Sequence, residues 1–382
     1  MRLAALLGFV LAGPALFAGQ GGVDAEFDSI ATRGIDYVYN LEFEQADAEF
    51  ARLITLKPRD PAGHFLSAMV LWWRILIDIE NEQYDEQFME ALDRVILMCD
   101  SLLDIDENDV TAIFFKGGSI GFQGRLQFHR NDYFSAANAG RRALPLVQIA
   151  SSLDPDNHDI LLGAGIYNYY AEVVPDQYPY LKPLLLFVPP GDRKKGLEQL
   201  TLAAEKGKYA SVESSYFLMQ AYYFYEHDYA RALAIALRLT ARFPNNMLFQ
   251  RYLGRCYISL NNWEKGREVF AEIADRARRG DRGYAEPSER EATYYLGMYE
   301  MNRRSYQKAL EHFYRCDELS RGLDGRRASG FMVMANLKVG MIYDKLSRRK
   351  LAIEQYEKVL EMEEFRNSHE EAERYLESPF AY

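Results

Sequence analysis

Between Glu26 and Glu377 the apolar positions fall in paired runs at helical spacing, joined by short polar turns. The pattern breaks once. From Gly163 to Leu200 the chain reads GAGIYNYYAEVVPDQYPYLKPLLLFVPPGDRKKGLEQL, helical at both ends. Its middle holds Pro175, Pro179, Pro183, Pro189 and Pro190, and a bare apolar run, Leu184–Val188. Proline lacks the backbone N–H and clashes inside a helix, so the pattern predicts a break between Val174 and Asp192. The expectation is a ladder of helix pairs interrupted near its centre by an aromatic, proline-rich insertion at 175–192.

Self-comparison gives the ladder its frame. Counted from Gly254, Tyr257 follows at +3, Gly266 at +12, Phe270 at +16 and Ile273 at +19. The same offsets from Gly340 give Tyr343, Ala352, Tyr356 and Val359; from Gly297 they give Glu300, Ala309, Phe313 and Cys316. Gly34 leads to Tyr37, Ala46, Phe50 and, at +24, Pro58; Gln220 leads to Tyr223, Ala232 and Pro244. Small residues where two antiparallel helices cross let the backbones approach, and each aromatic fills the space beside them. This pattern resembles the tetratricopeptide repeat, with Pro58, Pro155 and Pro244 where that repeat places a proline after its second helix. The resemblance implies an all-α fold, a right-handed superhelical solenoid of about eight helix pairs, with the insertion in the fourth.

The first three pairs are expected at about 26–58, 61–103 and 109–153, with Asp60 capping and Pro61 opening the second. The fourth begins at Asn157, and its second helix, Arg193–Lys206, follows a cap at Asp192. Later pairs start at Ser211, Asn246, Ser288 and Ser329. Gly117, Gly118, Gly121 and Gly124 in one helix suggest close packing or a bend. The expected blocks are a signal peptide at 1–19, repeats at 20–174, the insertion at 175–192, repeats at 193–367, and a capping helix with tail at 368–382. The last helix, Ser368–Glu377, is charged as an exposed end requires.

Length and composition fit such an array. At 382 residues the chain exceeds the usual single core, and 48% hydrophobic with 27 Tyr and 22 Phe is far from a disordered profile. A formal charge of −11 argues against nucleic acid, which needs clustered Lys and Arg; the short basic clusters sit among acids. The N-terminus, MRLAALLGFVLAGPALFAGQGG, has one Arg before an apolar core and small residues around Ala18 and Gly19. That is the form of a secretory signal peptide, too short for a comfortable span, and a periplasmic location is expected. Cys99, Cys256 and Cys316 fall on apolar helical faces and read as small buried hydrophobes.

Within the fourth unit, Gly165, Asn168, Pro175, Gly191-Asp192-Arg193, Gly196-Leu197 and Leu200 resemble the tetratricopeptide repeat protein 39 family, which includes fungal proteins linked to inclusion-body clearance. The resemblance implies a helical-repeat fold and a binding role, with no catalytic residue to carry over. It covers about 40 of the 382 residues.

Chemistry finds no foothold in the sequence. The six histidines form no HExxH and no close pair, and there is no CxxC, phosphate loop or GxSxG elbow. Asp104–Asp109 resembles the start of a calcium loop, but Asp109 replaces the turn glycine and Phe115 stands where the bidentate Glu belongs. No catalytic residue, metal or cofactor is therefore assigned. First helices are rich in tyrosine: Tyr167, Tyr169 and Tyr170, then Tyr216, Tyr222, Tyr223 and Tyr225. Some are packing positions; the others offer amphipathic contact area at little entropic cost. The candidate partner-binding residues are Tyr167, Tyr170, Tyr178, Tyr180, Leu185, Phe187 and Tyr222. The expectation is a scaffold binding a protein or peptide partner in the cell envelope. The alternative is a carrier of a lipid or apolar small molecule with the insertion as its lid.

Overall fold

The computed structural model describes residues 15–177, 179, 189–325 and 327–381. The signal peptide at 1–19 therefore lies largely outside the described residues, and so does most of the insertion. The first half consists of α1 (Ala15–Tyr39), α2 (Phe43–Leu56), α3 (Pro61–Ile77), α4 (Asp85–Leu103), α5 (Val110–His129), α6 (Tyr133–Leu153), α7 (Ile160–Gln177) and α8 (Arg193–Lys206). Then come α9 (Ser211–Phe224), α10 (Tyr229–Arg242), α11 (Met247–Ser259), α12 (Trp263–Arg278), α13 (Glu286–Asn302), α14 (Tyr306–Leu323), α15 (Gly330–Lys345), α16 (Arg349–Leu360) and α17 (Ser368–Glu377). Eight antiparallel pairs and a final helix make an all-α solenoid, without strands among the described residues.

The small-to-aromatic frame is the packing rule of the pairs. A Cβ added at Gly254 would lie 2.8 Å from the Phe270 ring, at Gly297 2.8 Å from Phe313, and at Gly340 2.5 Å from Tyr356. Gly34 stands against Phe50 in the same way. All four rings are fully buried. Helix starts follow capping chemistry: the side chains of Asp60, Asp109, Asp132, Asp192, Asp228, Asn246, Asn262 and Ser329 each accept a backbone N–H of the first turn. Asp109, whose place in the acidic run ruled out a calcium loop, is such a cap.

One recurring feature is not visible as glycine in the sequence. Seven residues after the small position, the first helix ends in a left-handed residue: Leu41 (φ 61°), Asn261 (59°), Arg304 (61°) and Ser347 (57°). The next N–H then reaches back to the +3 carbonyl, as in Asn262 to Tyr257 at 2.8 Å and Arg348 to Tyr343 at 2.8 Å. That is a Schellman closure of the helix. Asn131 (φ 62°) with Asp132 N–H on Gln127 places the third pair in the same frame, counted from Gly124. Sequence comparison missed this copy because Gly140 stands where the aromatic belongs.

α7 runs through Pro175 to Gln177, so the helix ends inside the expected interval from Val174 to Asp192, three residues into the expected insertion. The proline sits in the last turn, where its missing N–H frees only the Ala171 carbonyl. α1 begins at Ala15, ahead of the expected Glu26.

The cores show where the array departs from a simple ladder. One apolar core runs from Phe27 to Leu296 and a second from Met301 to Tyr375. The first is not built from neighbouring pairs alone. Trp73 of α3 lies 5.5 Å from Tyr216 of α9 and 5.7 Å from Phe249 of α11; Tyr39 of α1 lies 5.5 Å from Phe243. Asn246 Nδ2 donates to the Tyr39 carbonyl at 2.7 Å, and Arg242 pairs with Asp36 at 2.7 Å. The first two pairs thus pack onto the first-helix face of the fifth and sixth.

Candidate partner-binding surface

The tyrosine-rich first helices were expected to divide between packing positions and contact surface; between the first and sixth pairs their face is an aromatic hub. Tyr216, Tyr169 and Tyr222 are 3%, 0% and 8% exposed. At the hub Arg125 of α5 lies between the rings of Trp72 (4.6 Å) and Phe217 (4.2 Å) and pairs with Glu213 of α9 at 2.8 Å. His129 beside it is pushed down to about 4, by burial first and then by Arg125 and Arg130, so its ring is neutral near pH 7. These contacts hold the array together.

The fourth unit is a tight crossing of α7 and α8, made by the residues of the central motif. A Cβ at Gly165 would meet Leu200 Cγ at 2.8 Å, and one at Gly196 would meet Tyr169 N at 2.6 Å. Asp192 N–H donates to the Asn168 carbonyl at 2.9 Å, Asn168 Nδ2 to Gln199 at 2.7 Å, and Arg193 N–H to Glu172 at 2.6 Å. Arg193 also pairs with Glu226 at 2.6 Å, and Tyr169 donates to Glu226 at 2.6 Å. The spacing of glycines and Asn in the sequence is thus the spacing of a backbone contact.

That crossing sets α8 so that one of its faces stays uncovered. A groove of about 480 Å³ runs along α8 where α9 and α10 leave it. Leu197, Leu202 and Tyr222 supply its apolar surface. Lys194 and Arg231 stand at one end and Glu205 at the other, with Glu198 between. Arg231 lies 4.6 Å over the Tyr222 ring, donates to its hydroxyl at 3.3 Å, and is held by Asp228 at 2.6 Å. An apolar trough with a charged rim accepts side chains of a partner.

Of the seven candidate residues, Tyr222 belongs to this groove. Tyr170 is half-buried on the other side of α9, edge-on to Phe217 at 6.1 Å and Tyr225 at 5.6 Å, and burial raises its pKa. Tyr167 is partly exposed, its hydroxyl on the Pro189 carbonyl, its pKa likewise raised by burial. Tyr178, Tyr180, Leu185 and Phe187 lie outside the described residues. The structure does not gather Tyr167, Tyr170 and Tyr222 into one surface. Sequence reasoning missed Leu197, Leu202 and Arg231; the i, i+3, i+4, i+7, i+8, i+11 stripe of α8 from Lys194 to Glu205 is the signal that would have found the groove's long wall.

Residues 221–282, from the end of α9 through α12, match the family model described as tetratricopeptide repeat. This segment is similar to the tetratricopeptide repeat. Among solved structures, the human IFIT1 dimer with m7Gppp-AAAA is similar at 13% identity over 92% of this chain and 85% of that one, with a TM-score of 0.45. Yeast Tom70 is similar at 12% identity over 90% and 86%, with a TM-score of 0.39. A tetratricopeptide repeat protein from Parabacteroides merdae is similar at 10% identity over 81% and 99%, with a TM-score of 0.34. A comparison with curated protein sequences finds no match. Among the described residues no helix is long and apolar enough to cross a membrane.

Proposed function

We propose that the chain is an exported tetratricopeptide repeat scaffold that binds a protein or peptide partner in the cell envelope and performs no chemistry itself. The observation that carries this reading is the groove along α8, open to solvent, apolar in its floor and charged at its rim. Its openness and charge favour peptide side chains over an acyl chain, which needs an enclosed apolar cavity. The central α7–α8 motif supports kinship with the tetratricopeptide repeat protein 39 family, and the apolar N-terminal run supports export. A photo-crosslinking amino acid placed at Leu202 in cells, compared with one at exposed Glu377, tests the surface. A discrete protein adduct at Leu202 alone is expected; equal labelling at both positions would remove the groove from consideration. Fusing residues 1–25 to a phosphatase that folds only after export tests the location, with activity expected outside the cytoplasm.

A further inference from the structure

The second helices of the second and third pairs differ from the others in what they expose. Leu97 (66%), Ile105 (83%), Phe134 (72%), Ile149 (44%) and Leu153 (42%) lie on α4 and α6 or within two residues of their ends. Among the described residues, no other second helix carries more than one large exposed apolar side chain. α5 packs between α4 and α6, and Ile96 of α4 and Leu146 of α6 meet the same small core around Ile120. The two helices therefore lie side by side and run in one direction, with the exposed side chains on their outward face. A patch of this kind marks a contact surface.

The two helices carry opposite charge on that face. On α4, Asp85 is taken by Arg130 and Asp100 by Lys116, which leaves Glu86, Glu90 and Asp93 against Arg94, all four exposed. Glu90 lies 3.8 Å from Arg94 and Asp93 accepts from Gln123 at 2.7 Å, so no cation of another helix matches them. α6 contains Arg141 and Arg142 and no acid. Both arginines are exposed and neither has an acidic partner among the described residues; Arg141 donates to Asn138 at 3.1 Å. The outward face is thus two units negative along α4 and two units positive along α6. A partner of one sign would match one helix and be repelled by the other, and a surface of anionic lipid would be repelled by α4. A partner bearing the same two stripes in reverse order matches both.

We infer that the outward face of α4 and α6 is an interface with a second copy of this chain. A two-fold axis running between the two helices and parallel to both reverses the order of the stripes, so α4 of each copy lies on α6 of the other. The acids of each α4 then face Arg141 and Arg142 of the other copy, and the exposed apolar side chains leave water together. Phe134 and Leu153 stand nineteen positions apart, which is about 28 Å at 1.5 Å per residue, and two helices side by side are about 20 Å wide. That face is roughly 560 Å² per copy and about 1,100 Å² for the two, just above the ~1,000 Å² that a specific contact needs. The contact is self-complementary, so assembly stops at two copies. It is separate from the groove along α8 and does not depend on what that groove binds.

Sedimentation velocity of the purified full chain tests this across protein concentration. A monomer–dimer equilibrium with nothing larger is expected, about ten-fold weaker at about 1 M salt, where charges reach about 3 Å, than at about 0.1 M, where they reach about 10 Å. Arg141→Glu with Arg142→Glu makes both stripes acidic, and Glu86→Lys with Glu90→Lys makes both basic. Each of these variants alone is expected to be monomeric, with an unchanged helical circular-dichroism spectrum, since all four positions are exposed. Mixing the two should restore a dimer, because each stripe then meets its opposite. Leu97→Ser with Ile149→Ser should weaken the wild-type dimer by about ten-fold at either salt level. A wild-type chain that is monomeric at about 100 μM overturns the inference, since contacts of specific size hold at micromolar concentration or below. So does a dimer that both charge variants leave intact, a mixture that stays monomeric, or an assembly that grows past two copies. A photo-crosslinking amino acid at Leu97 that captures a different protein, with the purified chain monomeric, gives the face another occupant and likewise overturns it; the crosslinker at Leu202 tests the scaffold reading separately.

Discussion

Arg125 and Glu213 meet at 2.8 Å across 88 residues of sequence, joining α5 to α9 inside the aromatic hub. Their side chains are 15% and 7% exposed, and Glu213 also accepts the Tyr39 hydroxyl at 3.3 Å, so one carboxylate ties the first, third and fifth pairs. Burial and that carboxylate together raise the Tyr39 pKa well above its ordinary value, and the hydroxyl stays protonated. Removing the cation strands the anion. Arg125→Ala should destabilise the chain by about 3–5 kcal/mol, whereas Arg125→Met with Glu213→Gln should cost far less than the sum of the single changes. Urea unfolding of the four chains in a double-mutant cycle measures the coupling; additive losses would contradict it.

Glycines in the array divide into two kinds that a stability measurement separates. Gly254→Ala would bring a methyl to 2.8 Å from the Phe270 ring and should cost about 1–3 kcal/mol. Gly121, exposed in the middle of α5, has open space where its Cβ would stand, so Gly121→Ala should stabilise by about 0.5–1 kcal/mol. Equal effects in urea midpoints would show that the crossing at Gly254 is looser than described.

The left-handed residues make a second target. Arg304, with φ 61°, bears the strain of a side chain in a conformation that glycine adopts freely. Arg304→Gly should raise stability by roughly 0.5 kcal/mol after the entropy of the unfolded chain is counted. Arg304→Val should lower it. A thermal scan of both variants in which valine is the more stable would refute the assignment of that turn.

Acid should unfold this protein in a way one residue can report. Glu291 is fully buried between Arg251 and Arg255; burial pushes its carboxyl upward, the two guanidiniums outweigh that, and the net shift is downward from 4.5. A folded pKa below the unfolded value means stability that is fully present above about pH 5 and is lost as pH falls through 4.5 and below. Thermal unfolding between neutral and acid pH should therefore decline less steeply for Glu291→Gln than for the wild type, although the variant starts lower. Parallel curves would exclude Glu291 as a source of the acid sensitivity.

The three thiols give a chemical test of burial. Cys99, Cys256 and Cys316 are free and fully buried, and desolvation is the largest cause pushing each up to about 12. A thiol-reactive chromophore should find none of them in the native chain and all three after denaturation. One rapidly reacting native thiol would reveal an opening in its helix pair.

The repeat was legible because its cause is local. Gly254 and Phe270 face each other within one pair, so a small residue and an aromatic must recur at fixed spacing. The caps at Asp60 and Asp192 were legible for the same reason. Arg304 and Ser347 were not, since the turn at +7 holds Leu, Asn, Arg or Ser in its different copies and no glycine marks it. The hub was illegible for a third reason. Periodicity states what each pair offers its neighbour and is silent on Trp73 meeting Phe249, so it could not say which first-helix tyrosines, Tyr216 among them, are core. The groove lay between these cases: Tyr222 was named, but its partners Leu197 and Arg231 come from helices whose spacing depends on the α7–α8 crossing.

The meeting of Trp73 with Phe249 has a consequence for how the chain comes into being. In a linear stack the first pair could settle onto the second as soon as both leave the ribosome. Here the surface of α3 waits for a residue made much later, and at about 5–20 residues per second that wait is roughly 10–35 s. Throughout it, an indole and its apolar surroundings remain open to solvent and to other nascent chains. This protein therefore depends on whatever escorts it in that interval, and a cell short of such helpers should lose it to aggregation before it loses proteins built from strictly sequential repeats.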